Sequence, residues 1–290
     1  MKRLLFHLYE YYANMFVFPL VVRDLLRRSC GRDYDITLGQ KLRLLRQIKR
    51  NVSSIVSATS WNEHLLLVTR VLSLPKDLRG DVIECGCFKG ASTASLSLAC
   101  QMTGRRLVVC DSFEGLPPIA EHDVVHVSEA AGRFETYAAG EYAGSIDDVR
   151  SNVERFGDLS VCDFVKGYFE HTLPSLDREA AMVFLDVDLH ESLRTCLLNL
   201  WPKLCEYGFI YTHEAMQLDY VALFFDREFW ITNFGVKQPG LIGAGSGLPS
   251  GISKGCGLGY TQKIPATPTR DGDPRLRHYC GDPTKNSTGI

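Results

Sequence analysis

The 290-residue chain is long enough for one large domain, or one domain with additions, and can bury a substantial core. With 32 Lys+Arg against 34 Asp+Glu, a net charge of −2 and no long basic run, it lacks the electrostatic footprint of a nucleic-acid binder, and a small molecule is the expected partner. Its 10 cysteines include no C-x-x-C pair, so neither zinc-ribbon nor thioredoxin chemistry is expected. Cys85, Cys110 and Cys162 lie in apolar runs and read as reduced core thiols, which points to a cytoplasmic protein.

In chain order, the apolar run Leu4–Leu26 comes first, but His7, Glu10, Asn14, Pro19, Arg23 and Asp24 interrupt it. Those interruptions argue against a transmembrane segment and against a secretory signal. An amphipathic helix is expected instead, packing on the domain or, in a homodimer, on a second subunit; weak peripheral membrane contact is the other reading. Apolar spacing of three and four predicts helices over about Leu4–Arg28, Leu38–Arg50 and Trp61–Leu74, with Pro75 as a stop and Asn51–Ser60 as a Ser-rich loop. From Gly80 the rhythm changes. Strands are predicted at Asp81–Cys85, Arg106–Asp111, Val161–Val165, Ala181–Leu185 and Gly208–Thr212. Between and after them come helices at Ala91–Thr103, from Ser145 onward, at Glu191–Cys205 and at Met216–Phe229. Strict alternation of this kind specifies the α/β class: a doubly wound, mostly parallel, Rossmann-like sheet with N-terminal helical additions. Ser112–Gly144 is too long for an ordinary connection and reads as an active-site loop or lid. Gly240–Gly259 reads as loop, Gly259–Ile264 as a closing antiparallel strand, and the remainder as a polar tail. The expected division is residues 1–60 as a helical extension, 61–264 as the ligand-binding domain and 265–290 as the tail.

Ligands of open α/β sheets bind outside the carboxyl ends of the strands, so chemistry is sought there. The first strand ends in Glu84-Cys-Gly86-Cys-Phe-Lys-Gly90, an acidic-x-Gly-x-x-x-Gly spacing distinct from the G-x-G-x-x-G of dinucleotide binders. Gly86 and Gly90 permit a tight turn whose bare amides, at a helix N-terminus, can meet a carboxylate such as the methionine end of S-adenosylmethionine (SAM). Glu84 either holds the cofactor's ammonium or braces the turn. Asp111, ending the second strand, can accept hydrogen bonds from both ribose hydroxyls, or can cap the turn it begins with Ser112.

Asp111-Ser-Phe-Glu-Gly-Leu-Pro117 resembles a signature of the macrocin O-methyltransferase family, SAM-dependent enzymes that methylate hydroxyls, typically on sugars of natural products. Further similar segments follow in order: Lys166–Pro174, Leu185–Ser192, Pro202–Leu204 and Gly208–Ile210, the likeness running over about Trp61–Ile264. The resemblance implies that Glu84, Gly86 and Gly90 form the cofactor loop, that Asp111 with Ser112 meets the ribose, and that Gly167, Tyr168 and Phe169 flank the adenine. It also implies an acidic pair, Asp186 and Asp188, and in the family an acid there joins two adjacent aspartates after strand five to hold magnesium. Here the sequence departs, because His213-Glu214 stands in place of those aspartates. Three readings stay open. A divalent metal (magnesium or manganese, with iron or zinc also suited) is held by Asp186, His213 and Glu214. Alternatively the metal is absent and His213 or His190 serves as the base for the acceptor hydroxyl, or activity is altered and the fold serves as a scaffold or regulatory module. Asp188 or His190 can equally be caps of the following helix, while Lys89, His122, His126 and His171 read as surface residues. The function expected is methyl transfer from SAM to a hydroxyl of a sugar or other small-molecule natural product.

Overall fold

The computed structural model describes residues 22–120, 123, 125–128, 133–215, 217–243 and 257–265. Most of the apolar N-terminal run, the lid histidines' side chains and the polar tail lie outside the described residues. Residues 22–26 are helical, and α1 (Leu38–Ser54) and α2 (Trp61–Ser73) follow. Both helices start on capping boxes: Thr37 with Gln40, and Ser60 with Glu63.

The alternation read from the sequence then appears as β1 (Asp81–Cys85), α3 (Ala91–Thr103), β2 (Leu107–Asp111), α4 (Ile146–Phe156), β5 (Cys162–Lys166), the short α5 (Phe169–Thr172), β6 (Ala180–Leu185), α6 (His190–Leu200) and β7 (Leu204–Thr212). The sheet order is β5-β2-β1-β6-β7-β8, parallel except for β8 (Gly259–Gln262), which pairs antiparallel to β7. Chain direction across the sheet reverses between β1 and β6, which places the switch point at Cys85↔Leu185.

Side-chain alternation in the buried strands sorts the core onto two faces. Val82, Leu107, Val109, Met182, Phe184 and Phe209 share one cluster with Leu44 and Ile48 of α1, Leu65 and Val68 of α2 and Ala94 of α3. Ile83, Cys85, Val108, Val183, Leu185 and Ile210 pack on the other face against Leu193 and Leu197 of α6 and against Trp230. The helical extension therefore contributes to the same core as the domain it precedes. The eight cysteines among the described residues are free thiols. No helix among the described residues is long and apolar enough to cross a membrane.

Several elements differ from the sequence reading. The lid segment contains a hairpin, β3 (Val125–Ser128) with β4 (Arg133–Thr136). α1 runs past Arg50 because Asn51 is fully buried and hydrogen-bonds Ser95 of α3 at 3.2 Å. The expected Met216–Phe229 helix is two, α7 (Leu218–Leu223) and α8 (Arg227–Phe234), since the Asp226 carboxylate accepts the Phe229 N–H at 3.0 Å and starts a new helix. α6 stops at Leu200, just before Trp201 and Pro202, and β7 begins earlier than expected, at Leu204.

Two polar side chains join the layers. Arg105 is buried and donates to the carbonyls of Gly80 (2.7 Å), Pro75 (2.9 Å) and Leu78 (2.7 Å), tying the end of α3 to the connection between α2 and β1. Arg105→Ala leaves three carbonyls short of a donor; a loss of about 3 kcal/mol or more in denaturant titration is expected, at roughly 1–3 kcal/mol per stranded group. Glu84, wholly buried on β1, accepts from the Thr93 hydroxyl of α3 at 2.6 Å. Burial pushes its carboxyl up to about 8 from 4.5. The folded state thus keeps a proton that the unfolded chain releases, so the contribution of Glu84 to stability is full below pH 4.5 and is lost as pH rises toward 8. We expect Glu84→Gln to remove a pH dependence of up to about 1.4 kcal/mol per unit over that window; equal slopes for both proteins in urea titrations between pH 5 and 8 would contradict it.

Candidate cofactor crevice at the strand termini

The crevice opens where the ends of β1 and β6 meet. The Asp186 N–H donates to the Cys85 carbonyl at 2.9 Å, and Gly86 (φ 83°) passes so close that a Cβ there would lie 1.8 Å from the Asp186 carbonyl oxygen. Only glycine fits. Gly90, at φ 82°, is the N-cap of α3 and closes the turn, its N–H donating to the Cys87 carbonyl at 2.7 Å. Between the two glycines Phe88 adopts φ 48°, a left-handed conformation that costs a bulky residue free energy. Phe113 (φ 57°) and Asp188 (φ 59°) do the same just past β2 and β6. Backbone strain thus gathers at three adjacent strand termini.

Asp111 faces the crevice and organises it. Its Oδ2 accepts the Cys87 N–H and its Oδ1 the Phe113 N–H, both at 2.7 Å, so one carboxylate fixes the turn after β1 to the turn after β2. Ser112 donates to the Gly115 carbonyl at 2.7 Å and accepts the Glu114 N–H, shaping the next bend. The Gly167 N–H donates to the Asp111 carbonyl at 2.9 Å and joins the β5 terminus to the same cluster. Tyr168 and Phe169 then line the crevice with Gly86, Asp111, Ser112 and Asp186. Of the residues singled out from the sequence, Glu84 stands one layer behind this wall, where it braces α3. Gly90 and Gly167 shape the wall without lining it.

Phe88 and Tyr142, which the sequence reading does not single out, also line the crevice, as does Asp188 of the implied acidic pair. Phe88 and Tyr142 pack edge to face at 5.6 Å, bringing the end of the lid segment over the cofactor turn. Phe88 lies inside the glycine turn and was findable there; Tyr142 carries no local signal.

The acidic end of the crevice differs most from expectation. Asp186, Asp188 and Glu214 bring carboxylate oxygens within 4.8 Å of one another. Glu214 is buried, which pushes its carboxyl up, and its Oε1 accepts the N–H groups of Val187 (3.1 Å) and Asp188 (3.0 Å). His213 stands beside Asp186 and Glu214, against two carboxylates. Its Nδ1 lies 3.1 Å from Asp186 Oδ1 and its Nε2 lies 3.3 Å from Glu63 Oε1. Burial opposes a charge on this ring, yet the two carboxylates outweigh it and hold its pKa well above the usual imidazole range. In this arrangement each ring nitrogen faces a carboxylate oxygen. Asp188 supplies the third carboxylate of the cluster.

His190 is directed elsewhere: it packs on Tyr220 at 5.7 Å and borders a surface depression with Arg194 and Asp219, outside the crevice. Neither it nor Asp188 caps α6 with its side chain. The Asp123 carboxylate does so from the lid segment, accepting the N–H groups of His190 (2.9 Å) and Glu191 (3.3 Å). His171 is solvent-exposed, as read.

The calicheamicin methyltransferase CalS11 superposes with a TM-score of 0.51 at 15% identity, covering 78% of this chain and 93% of that one, which shows the shared class I methyltransferase fold. A protein of Streptomyces olivaceus, 8-demethyl-8-(2,3-dimethoxy-alpha-L-rhamnosyl)-tetracenomycin-C 4'-O-methyltransferase, is 35% identical over 136 residues, covering 45% of this chain and 51% of that protein. Mycinamicin III 3''-O-methyltransferase of Micromonospora griseorubida is 29% identical over 136 residues, covering 45% and 53%. The chain therefore spans about half the length of the curated relatives it matches. Residues 66–230 match the family model of macrocin-O-methyltransferase (TylF), and the chain belongs to that family.

Proposed function

We propose that the chain is a SAM-dependent O-methyltransferase acting on a hydroxyl of a sugar or other small-molecule natural product. Family membership supports the reaction class, and the names of the two relatives support the kind of acceptor. The observation that carries the reading is the crevice itself. Bare backbone at Gly86 suits an amino-acid end, the Asp111 carboxylate suits ribose hydroxyls, and Tyr168 with Phe169 suits a flat base. Asp111 retains acceptor capacity after its two backbone bonds, since an ionised carboxylate offers about four lone-pair sites.

Methyl transfer from a sulfonium is an in-line displacement: the acceptor oxygen forms a bond to the methyl carbon as the carbon–sulfur bond breaks. The protein's task is alignment, to which orientation contributes several kcal/mol (up to roughly 7–11). The acceptor would lie beside Asp186 and Asp188, under Leu116, Pro117 and Tyr142 from the lid segment. Because Asp186 Oδ1 is committed to His213, its Oδ2 and the Asp188 carboxylate are the groups we assign to receive the hydroxyl proton.

A divalent cation fits the acidic end. Asp186, Asp188 and Glu214 would hold it, and an all-oxygen donor set suits magnesium or manganese. Bound there, such an ion would lower the acceptor hydroxyl's pKa. The free thiols fit a reducing cytoplasm. A homodimer or membrane contact through the N-terminal run concerns residues outside those described.

Calorimetric titration with SAM and S-adenosylhomocysteine tests the first part: micromolar binding is expected, and no heat from either at high micromolar concentration contradicts it. Asp111→Ala should weaken S-adenosylhomocysteine by about 10–100-fold, as expected for lost charge-assisted bonds of roughly 1.5–3 kcal/mol; unchanged affinity removes Asp111 from the ribose contact. For the cation, manganese titrated into chelator-treated protein should bind, and Asp188→Asn should weaken it by at least about tenfold, the loss of one of three anionic ligands. No manganese binding leaves the proton to the carboxylates alone.

A further inference from the structure

Glu63 belongs to no strand terminus, yet its carboxylate is a junction. It sits in the first turn of α2, is 3% exposed, and both its oxygens are occupied. Oε2 accepts the Ser60 N–H at 2.6 Å and the Ser60 hydroxyl at 2.9 Å. Oε1 accepts the Gly257 N–H at 2.6 Å and faces His213 Nε2 at 3.3 Å. One carboxylate thereby joins the start of α2, the turn after β7 and the segment entering β8. Gly257 packs directly on the ring: a Cβ there would lie 2.9 Å from the His213 carbonyl and 3.0 Å from Nε2.

A capping residue needs only the Ser60 bonds. The Oε1 contacts exceed that role, and they lead through the His213 ring to Asp186 at the crevice. We propose that Glu63 is a positioning residue: by holding His213 Nε2 it sets the ring so that Nδ1 engages Asp186 Oδ1, which fixes the carboxylate's plane and turns Oδ2 toward the reacting groups. Freed from Glu63, the imidazole can rotate about its side-chain bonds, and Asp186 loses the donor that fixes its plane. The inference rests on the crevice being the reacting site, but the geometry it concerns can be measured without any acceptor.

The test uses the whole chain labelled with ¹⁵N-histidine. With both ring nitrogens donating to carboxylates, His213 should show two ring N–H signals protected from solvent exchange, assigned by their absence in His213→Gln. Glu63→Gln should lose both signals, because releasing Nε2 also frees Nδ1. Ser60→Ala weakens the same helix start and should lower the melting temperature while both signals persist. Retention of the Asp186-side signal in Glu63→Gln overturns the proposal, as does a wild-type protein lacking the pair, or Ser60→Ala losing them. Should Glu63→Gln fail to fold, Glu63→Asp withdraws the carboxylate by one methylene and should still lose the Nε2-side signal; keeping both overturns the proposal. Titration of the same wild-type sample with S-adenosylhomocysteine reports on the crevice separately: absent binding there contradicts the proposed function while leaving the ring signals to decide this inference.

Discussion

Contact between the β1 and β6 termini is the constraint on which the rest of the site depends. The parallel register Cys85↔Leu185 carries the two strands forward together, and the Asp186 N–H continues the ladder one residue past them. At that point side-chain volume has to vanish on one side, because the Asp186 carbonyl occupies the space a Cβ at position 86 would need. A Gly86→Ala chain would have to part the two central strands or bend the turn. Either change would move Asp111's amide partner at Cys87 and the carboxylate of Asp186 together. The crevice is therefore a property of backbone proximity first, with side chains arranged upon it.

From this contact the site grows outward by hydrogen bonds to main chain. Asp111 gathers the turns after β1 and β2, Gly167 attaches the β5 terminus to Asp111, and Glu214 holds the turn after β6 from the end of β7. Left-handed Phe88, Phe113 and Asp188 are the places where the chain absorbs these demands. Such strain persists only where surrounding structure over-determines it. Preorganisation has a physical meaning here: the groups that would meet the cofactor are held by the fold, so little ordering remains to be done on binding.

Much of the fold was legible in the sequence because its strands are short apolar runs separated by helix-period segments, and the glycines and acids at β1 and β2 stand where such a sheet binds ligands. What escaped had non-local causes. The buried contact of Asn51 with Ser95 prolongs α1, and Asp123 caps α6 from 67 residues away. The hairpin of the lid segment is two four-residue strands, too short to announce a period. Asp226 was a readable cap, three residues before Phe229, and the break between α7 and α8 could have been found there. His213 is the most instructive case. Residue identity suggested a metal ligand or base, but identity does not disclose that Glu63, from a helix 150 positions earlier, and Asp186 would bracket the ring. Asp188 belongs to the acidic pair implied by the resemblance, but the left-handed turn that brings it beside Asp186 and Glu214 has no signal in residue type or spacing.

The central claim is that the cofactor lies across the switch point, its ends separated by the β1 and β2 termini. A crystal structure of the protein grown with S-adenosylhomocysteine tests it most directly. The account predicts ligand density along the crevice, with the amino-acid end against the Gly86 backbone, both ribose hydroxyls within hydrogen-bond reach of Asp111, and the adenine beside Tyr168 and Phe169. Density confined to the cavity of about 280 Å³ that Arg70, Phe209 and Tyr211 line on the face of the sheet, with the crevice empty, would contradict it.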